Sequence, residues 1–522
     1  MRFLPVNLTN MLVELNDLEE TLALFASLQA DPVAGVQELI PAAKTILIRF
    51  RPDRITAKTL ADAIAARDLS NKPAQSGQLV EIPVNYDGED LHEVAELTGL
   101  SVADVIRRHS ESEYKVAFCG FAPGFGYLVD GDPALHVPRR QNPRTRIPAG
   151  SVALAGVFSG IYPQESPGGW QIIGTTPIAM WDIDRNPPAL LQPGYRVRFR
   201  DMRKSGTRVH IQAPQRKDVA RLVESPAHFK VRSALLPALF QDYGRFGHAG
   251  QGISTSGALD RHAFNAVNRI VGNPANTPAL ELTLGSFSFA TTSDAVIALA
   301  GAQCSISVRS ANRQVMAFNT YQPITLRAGD EVTIGYPKRG VRTYLAVRGG
   351  FAVLPVLDSA SRDTLAMIGP EPVVTGDSIA LKNDEHGLLK ISPDVKPAFE
   401  LPRTHDIVTL DIALGPRADW FSQSARRLLT SQLWKVTPQS SRVGVRLAGE
   451  VALERKDNTE LPSEGMVAGA IQVPHNGQPV LFLRDHPLTG GYPVIATVAE
   501  YHLDLAAQIP INASIRFRAV NI

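Results

Sequence analysis

Cysteine is nearly absent from this chain: Cys119 and Cys304 are the only two in 522 residues, with no CxxC pair and no Cys/His spacing that fits a metal. A disulfide framework and a structural zinc site are therefore excluded as organising devices. Net charge is nearly absent too, since 53 Lys and Arg face 51 Asp and Glu. That balance offers nothing to a polyanion, so nucleic acid and an anionic membrane surface drop out as partners. No run of about 18 apolar residues exists to span a bilayer, and the opening MRFLPVNLTN lacks the apolar core of a secretion signal. A reduced, cytoplasmic protein is the expectation. Catalytic signatures are missing in the same way. There is no GxSxG nucleophile elbow, no HExxH zinc helix, no Gly-Gly-Ser-Ser-Gly-Gly amidase run and no GxxxxGKS/T phosphate loop, and the glycines of GQGISTSG do not follow the GxGxxG spacing.

What is present in excess is glycine and proline, concentrated in one stretch. Between Pro123 and Pro177 there are nine Gly and eight Pro in 55 residues, about twice the density of the whole chain. The residues between these turns, among them Phe125, Tyr127, Val152, Leu154, Tyr162, Trp170 and Ile172, are strand formers, so the stretch reads as short strands joined by tight turns rather than as disorder. Its charge is one-sided: Pro133 to Gln164 holds no Asp or Glu, while Arg139, Arg140, Arg144 and Arg146 fall within eight residues. Guanidinium groups bind carboxylate or phosphate bidentately, which points to an anionic substrate or intermediate. The competing reading is that two of the four are solvated and two brace loops. Alternation places Arg144 and Arg146 on one sheet face.

A chain of this length requires three or four domains. Residues 1–78 alternate strand and helix signals and predict a small α/β module with a helix-covered sheet, ending in the linker-like NKPAQSGQ from Asn71 to Gln78. Residues 79–203 then form a first barrel, preceded by one helix over HEVAELTGLSVADVIRRHS. His92 and His109 lie at its two ends, where a lone histidine is usually surface decoration. A polar tether, 204–227, joins the halves and raises their effective concentration. The span 228–400 predicts a strand, the loop HAGQGISTSG, a helix capped by Ser256 or Gly257 and closed by Gly272, and an antiparallel barrel. Residues 401–522 form the last barrel. There GGYPVIAT (Gly490 to Thr497) repeats GGWQIIGT (Gly168 to Thr175), and each copy is followed by a closing strand, IRFR or VRFR. Fixed-order similarity of this kind implies two copies of one barrel, with the loops of Ser166 and Thr489 equivalent. The fold class is mainly β with α/β.

The series GFAPGFGYL, PRR, PAGSVALAG, IYP, SPGGW and IGTTP resembles the B-type subunit of bacterial 5-oxoprolinase, a group also described as allophanate hydrolase subunit 1 and as a kinase inhibitor. QDYGRFG, GISTSGALD, NRIVGN, ALELTLG, LPSEGMVAGAIQVP and GQPVLFLRDHPLTGGYP resemble the C-type subunit, or allophanate hydrolase subunit 2. Together they are similar to the carboxyltransferase region of biotin-dependent urea carboxylase. The resemblance implies cyclophilin-like β-barrels, ATP as co-substrate, a separate A-type 5-oxoprolinase subunit as partner, and a small anionic or urea-like substrate, with a homo-oligomer as a further option. The family's usual Gly-Asp before the first strand is replaced here by Val6 and Asn7, and its Gly-Ser-Arg-Ser-Thr turn by Asp358 to Arg362.

Polar groups on the glycine-rich turns are the candidates for a site between domains. Arg139, Arg144, Tyr162, Ser166, Gly168, Gly169, Thr175, Arg245, Ser256, Gln472, Thr489, Gly491 and Tyr492 are read as substrate-binding. Asp260, Glu281 or Asp485 is read as the base for water. Amides of the SPGGW and LTGGY turns would stabilise an oxyanion. No metal is expected. Each residue taken alone is more often a turn anchor or buried partner than a group that binds substrate. The resemblance leaves three functions open: the B/C component of an ATP-dependent 5-oxoprolinase, the carboxyltransferase component of a urea-type carboxylase, or a regulator that inhibits a histidine kinase.

Overall fold

Alternation of side chains across a strand explains how the N-terminal module uses both faces of its sheet. The computed structural model describes residues 1–69, 77–140, 142, 144–204, 226–382, 384, 386–457, 459 and 461–521. Strands Arg2–Asn7, Asn10–Glu14, Thr45–Phe50 and Val36–Pro41 form a four-stranded antiparallel sheet in that order. Met11, Val13, Ile46 and Ile48 face helices Leu18–Ala30 and Ala57–Ala65, burying Leu24, Leu28, Leu60 and Ile64. Leu12, Ile40 and Leu47 face the other way, onto Met466, Phe482 and Leu488 of the last barrel. The module is thus covered by its own helices on one side and by the far end of the chain on the other. Most of the linker expected over Asn71–Gln78, and nearly all of the tether over 204–227, lie outside the described residues.

The first barrel is a seven-stranded sheet with Leu79–Val84 at one edge, parallel to the closing strand Arg196–Asp201. The single helix expected before it is two, Leu91–Thr98 and Val102–Glu111. Gly99 ends the first in the left-handed region at φ 67°, and the Ser101 side chain accepts the Asp104 N–H to start the second. The TGLS sequence is therefore a stop followed by a cap. His109 also corrects its expectation: it is fully buried, stacked on Phe199 at 4.3 Å. Its Nδ1 lies 2.8 Å from Tyr86 Oη and its Nε2 3.0 Å from Ser159 Oγ.

Burial pushes the His109 imidazole from 6.5 down to about 3. The unfolded chain therefore binds a proton that the folded one refuses, and stability is lost as pH falls from 6.5 towards 3. In urea unfolding across that window, the wild type should lose about 1.4 kcal/mol per pH unit more than His109→Gln. Equal slopes would mean that His109 is not the group responsible.

Within 228–400 the strands fall into a six-stranded and a five-stranded sheet. They enclose one core that includes Phe229, Phe289, Leu299 and Leu345. Helix Arg261–Val271 lies on the outside of the five-stranded sheet, burying Phe264, Val267 and Ile270 against Ala298, Ala300 and Tyr344. Its cap is Asp260, whose carboxylate accepts the Ala263 N–H at 2.9 Å, and not Ser256 or Gly257. Those two residues are left-handed, at φ 54° and 99°, and belong to the loop. Gly272 closes the helix as expected, at φ 70°.

Residues 407–519 form a closed barrel of seven strands. Its first strand Ile407–Leu414 runs parallel to its last, Ser514–Ala519, as in the first barrel. The last strand also pairs antiparallel with Trp434–Val436, as Arg196–Asp201 does with Glu113–Cys119. Each barrel carries a small ribbon, Ser166–Gly168 on Arg144–Ile147 and Thr489–Gly490 on Glu464–Gly465. The duplication read from the two GG repeats is thus present in the strand pairing. No helix among the described residues is long and apolar enough to cross a membrane.

Candidate functional site

The loop that follows strand Glu113–Cys119 is held from two sides. The Phe121 N–H donates to Thr489 Oγ1 of the last barrel at 3.0 Å, and the Gly124 N–H donates to the Gln251 carbonyl of the middle unit at 3.0 Å. Close approach explains two glycines. A Cβ on Gly120 would stand 2.5 Å from Thr489 Oγ1, and one on Gly252 would stand 2.5 Å from the Ala122 carbonyl oxygen. Phe121 itself is left-handed at φ 63°, a conformation that costs about 1 kcal/mol or more for such a residue and is kept here by its neighbours.

Around this seam lie several of the expected residues. A Cβ on Gly491 would be 3.4 Å from Arg139 Nη1, so the guanidinium reaches the LTGGY turn of the other barrel. The Tyr162 phenol is buried and pushed up by that burial, with the Arg139 and Arg144 charges acting against the shift. Gly168 passes so close to Tyr162 that a Cβ would lie 2.4 Å from its Oη. Ser166 Oγ is buried with no hydrogen-bond partner among the described residues. Gly169 accepts the Arg140 N–H through its carbonyl. Gln472 donates to the Tyr492 carbonyl at 2.9 Å, and Tyr492 lies beneath the Arg455 guanidinium.

Two expected binders are committed elsewhere. Arg144 grips Asp90 bidentately at 2.7 and 2.8 Å and also reaches Glu89. Asp90 further accepts from Arg140 at 2.6 Å and from the Ile172 N–H at 2.7 Å, so Arg140 and Arg144 brace one buried carboxylate. Arg146, on the same strand, pairs with Glu165 in solvent. Thr175 binds Asp87 at the far end of its strand.

The three expected carboxylates come together between the middle unit and the last barrel, in a buried network whose centre the sequence did not disclose. Arg442 donates from Nε to Asp485 at 2.9 Å, from Nη1 to Glu281 and from Nη2 to the Gly257 carbonyl at 2.8 Å. Asp485 also accepts from Ser256 Oγ at 2.6 Å and from the Thr364 N–H and hydroxyl at 2.9 and 2.8 Å. Glu281 accepts from Tyr344 Oη at 2.6 Å, and Asp260 from Gln508 Nε2 at 2.8 Å. Burial works against the Asp485 charge, yet the Arg442 guanidinium holds it below the usual carboxylate range. Asp260 has no such partner: burial, with Asp504 and Glu281 adding, pushes it up to about 7. At that value Asp260 has the affinity of a proton acceptor at neutral pH.

Arg245 sits beside this network, fully buried, with Nη2 on the Ser361 carbonyl and, among the described residues, no partner at Nε or Nη1. The Asp358–Arg362 segment is clamped by Asp242, which accepts from the Ser359 and Ser361 hydroxyls at 2.6 Å and from the Ala360 N–H at 2.7 Å. Arg442, Tyr344 and Gln508 were missed because none stands on a glycine turn. A cleft of about 860 Å³ opens elsewhere, between the edge of the middle unit and residues 395–403. No expected residue lines it, and its borders are exposed long side chains such as Lys338 and Lys396. Among the described residues, no group of His, Cys, Asp and Glu is arranged to hold a metal.

A duplicated barrel pair sharing one seam, with a small α/β module and a two-sheet unit packed on it, is the architecture of a carboxyltransferase domain. The chain belongs to that family: the model for carboxyltransferase subdomains C and D matches residues 1–191, and that for subdomains A and B matches residues 251–519. In particular, it is 35% identical over 291 residues to the C-type subunit of 5-oxoprolinase from Escherichia coli (strain K12), covering 55% of this chain and 90% of that protein. It is 39% identical over 190 residues to the B-type subunit of 5-oxoprolinase from Bacillus subtilis (strain 168), covering 33% of this chain and 79% of that protein. A crystal structure of a protein designated TTHA0988 superposes with a TM-score of 0.82 at 33% identity, over 98% of this chain and 99% of that one. Urea carboxylase of Kluyveromyces lactis superposes with a TM-score of 0.52 at 27% identity, over 56% of this chain and 27% of that one.

Proposed function

We propose that the chain is the fused B and C component of an ATP-dependent 5-oxoprolinase, opening the cyclic amide of 5-oxoproline to glutamate together with a separate A-type subunit. The observation that carries this reading is the seam. The half similar to the B-type subunit and the half similar to the C-type subunit meet through Phe121–Thr489 and Gly124–Gln251, so that groups from both can act on one small molecule. Arg139 is the cation for the substrate carboxylate. Turn amides next to Gly168 and Gly491 are the donors for the oxyanion that forms as water adds to the ring carbonyl carbon. Asp260, at about 7, is the carboxylate suited to take the proton from that water before the ring nitrogen receives one. ATP enters through the family resemblance, with the A-type partner.

The test is direct. The purified chain mixed with an A-type 5-oxoprolinase subunit, ATP and 5-oxoproline should release glutamate. Arg139→Ala should raise KM for 5-oxoproline about tenfold with a smaller change in kcat. The urea carboxylase likeness and the family description favour a second reading, carboxyl transfer to a urea-like acceptor. That reaction needs a biotin carboxylase and a biotinylated lysine from other chains, because the sequence has no Met-Lys-Met. An inert mixture with the A-type partner, alongside carboxylation of urea when the biotin components are supplied, would reverse the order of the two readings.

A further inference from the structure

The N-terminal module, the glycine-rich loop of the middle unit and the last barrel meet around a cavity of about 90 Å³ that includes no residue of the seam. Three arginines, one from each unit, line it: Arg49, Arg261 and Arg484. We propose that this junction binds a small oxyanion, a carboxylate or a phosphate, that holds the three units together.

The cations are unusually under-used. Arg484 Nε and Arg261 Nε are both buried without a hydrogen-bond partner among the described residues. Arg261 has one carbonyl, that of Tyr243 at 3.1 Å, and Arg49 lies over the Phe246 ring at 5.4 Å. Among the described residues, none of the three forms an ion pair with a carboxylate. A buried donor left open is destabilising, and like charges facing one another in a partly desolvated space add to that. The mutual repulsion is visible in the titration of the groups. Burial and then the neighbouring Arg261 push Arg484 down to about 10, and burial and then Arg49 lower Arg261, while Asp504 and Glu500 act in the opposite direction on both. An oxyanion accepting from these guanidinium groups removes both penalties at once.

Two carboxylates also line the cavity, Glu38 and Glu500. Glu38 is pushed up by burial, against the pull of the Arg49 charge and of the Gly247 and Ala249 amides. The size limits the ligand. One water needs about 10–15 Å³ of such space, so the cavity takes about six to nine waters or one small anion. Asn7, at the place where relatives were expected to carry an aspartate, belongs to the lining and is neutral.

The experiment is isothermal titration and thermal unfolding of the full chain with sodium phosphate, sodium acetate or sodium chloride at constant ionic strength. Saturable binding and a rise in Tm with phosphate or acetate, and no saturable response to chloride, are expected. The stronger of the first two identifies the ligand class. Arg484→Gln and, from a different unit, Arg49→Gln should each weaken binding about tenfold or more, while the exposed Arg146→Gln should bind as the wild type does. No saturable binding of phosphate or acetate, an equal response to chloride, or unchanged binding in a folded Arg49→Gln would overturn the proposal. Hydrolysis of 5-oxoproline is not read in these measurements, so their failure and the failure of the catalytic reading are distinguishable.

Discussion

Replacing Arg442 with alanine is expected to lower the unfolding free energy by about 3–5 kcal/mol, the cost of stranding buried charge. Among the described residues, Arg442 is the one cation bonded to both Glu281 and Asp485, and all three side chains are almost wholly removed from solvent. Without it, Asp485 keeps its neutral donors, Ser256 and Thr364, but loses the charge that offsets its burial. Its carboxyl must then rise towards protonation. The sign of the pH effect follows: the wild-type network is favoured while Asp485 is ionised, so the gap between wild type and Arg442→Ala should narrow as pH falls. Urea unfolding at pH 7 and pH 5 measures both quantities. The combination Arg442→Met, Glu281→Gln and Asp485→Asn should recover much of the loss, because it removes the charges together with their partner. A loss as large in the combination as in the single variant would assign the effect to packing instead.

The second large effect is expected in activity. Gly252→Ala should reduce 5-oxoproline hydrolysis, in the mixture with the A-type partner, by about 100-fold while the barrels keep their circular dichroism, since a displacement of about 1 Å at a composite site costs that much. Gly252 is left-handed at φ 80°, and the atom its Cβ would strike, the Ala122 carbonyl oxygen, is backbone. Neither side can yield by turning a side chain. The loop Gly120 to Gly124 must shift, and it carries the Phe121 N–H that meets Thr489. Gly250→Ala two residues away, where a Cβ meets nothing within 4 Å, is the control and should retain activity. Equal activity of both variants would detach the seam from the reaction.

How far the sequence disclosed this arrangement depends on the distance over which each feature is decided. The barrel repeat was readable because GGWQIIGT and GGYPVIAT are local patterns tied to strand geometry, and both closing strands fall where the repeat places them. The helix break at Gly99 and Ser101 was written locally as well, as a C-cap followed by an N-cap, but the apolar period runs through it and masked it. The fate of Arg144 was not local. Its partner Asp90 lies 54 residues upstream, and nothing near Arg144 distinguishes a substrate clamp from a brace. Arg442 shows the limit most clearly, because Glu281 is 161 positions away and only the docking of two units brings them together. Asp260, Glu281 and Asp485 were expected as alternatives for one role; the cation that joins Glu281 to Asp485 could be identified only from the fold.

In both barrels the first strand lies beside the last, Leu79–Val84 along Arg196–Asp201 and Ile407–Leu414 along Ser514–Ala519. The entrance and the exit of each module are therefore neighbours on its surface. A gene can splice such a module ahead of its partner, behind it, or into a polypeptide of its own, and no strand has to be rethreaded for it to fold. Fusion of the two halves here, beside their existence as separate 5-oxoprolinase subunits in other organisms, is then a difference of gene arrangement that leaves the topology of the assembled site untouched.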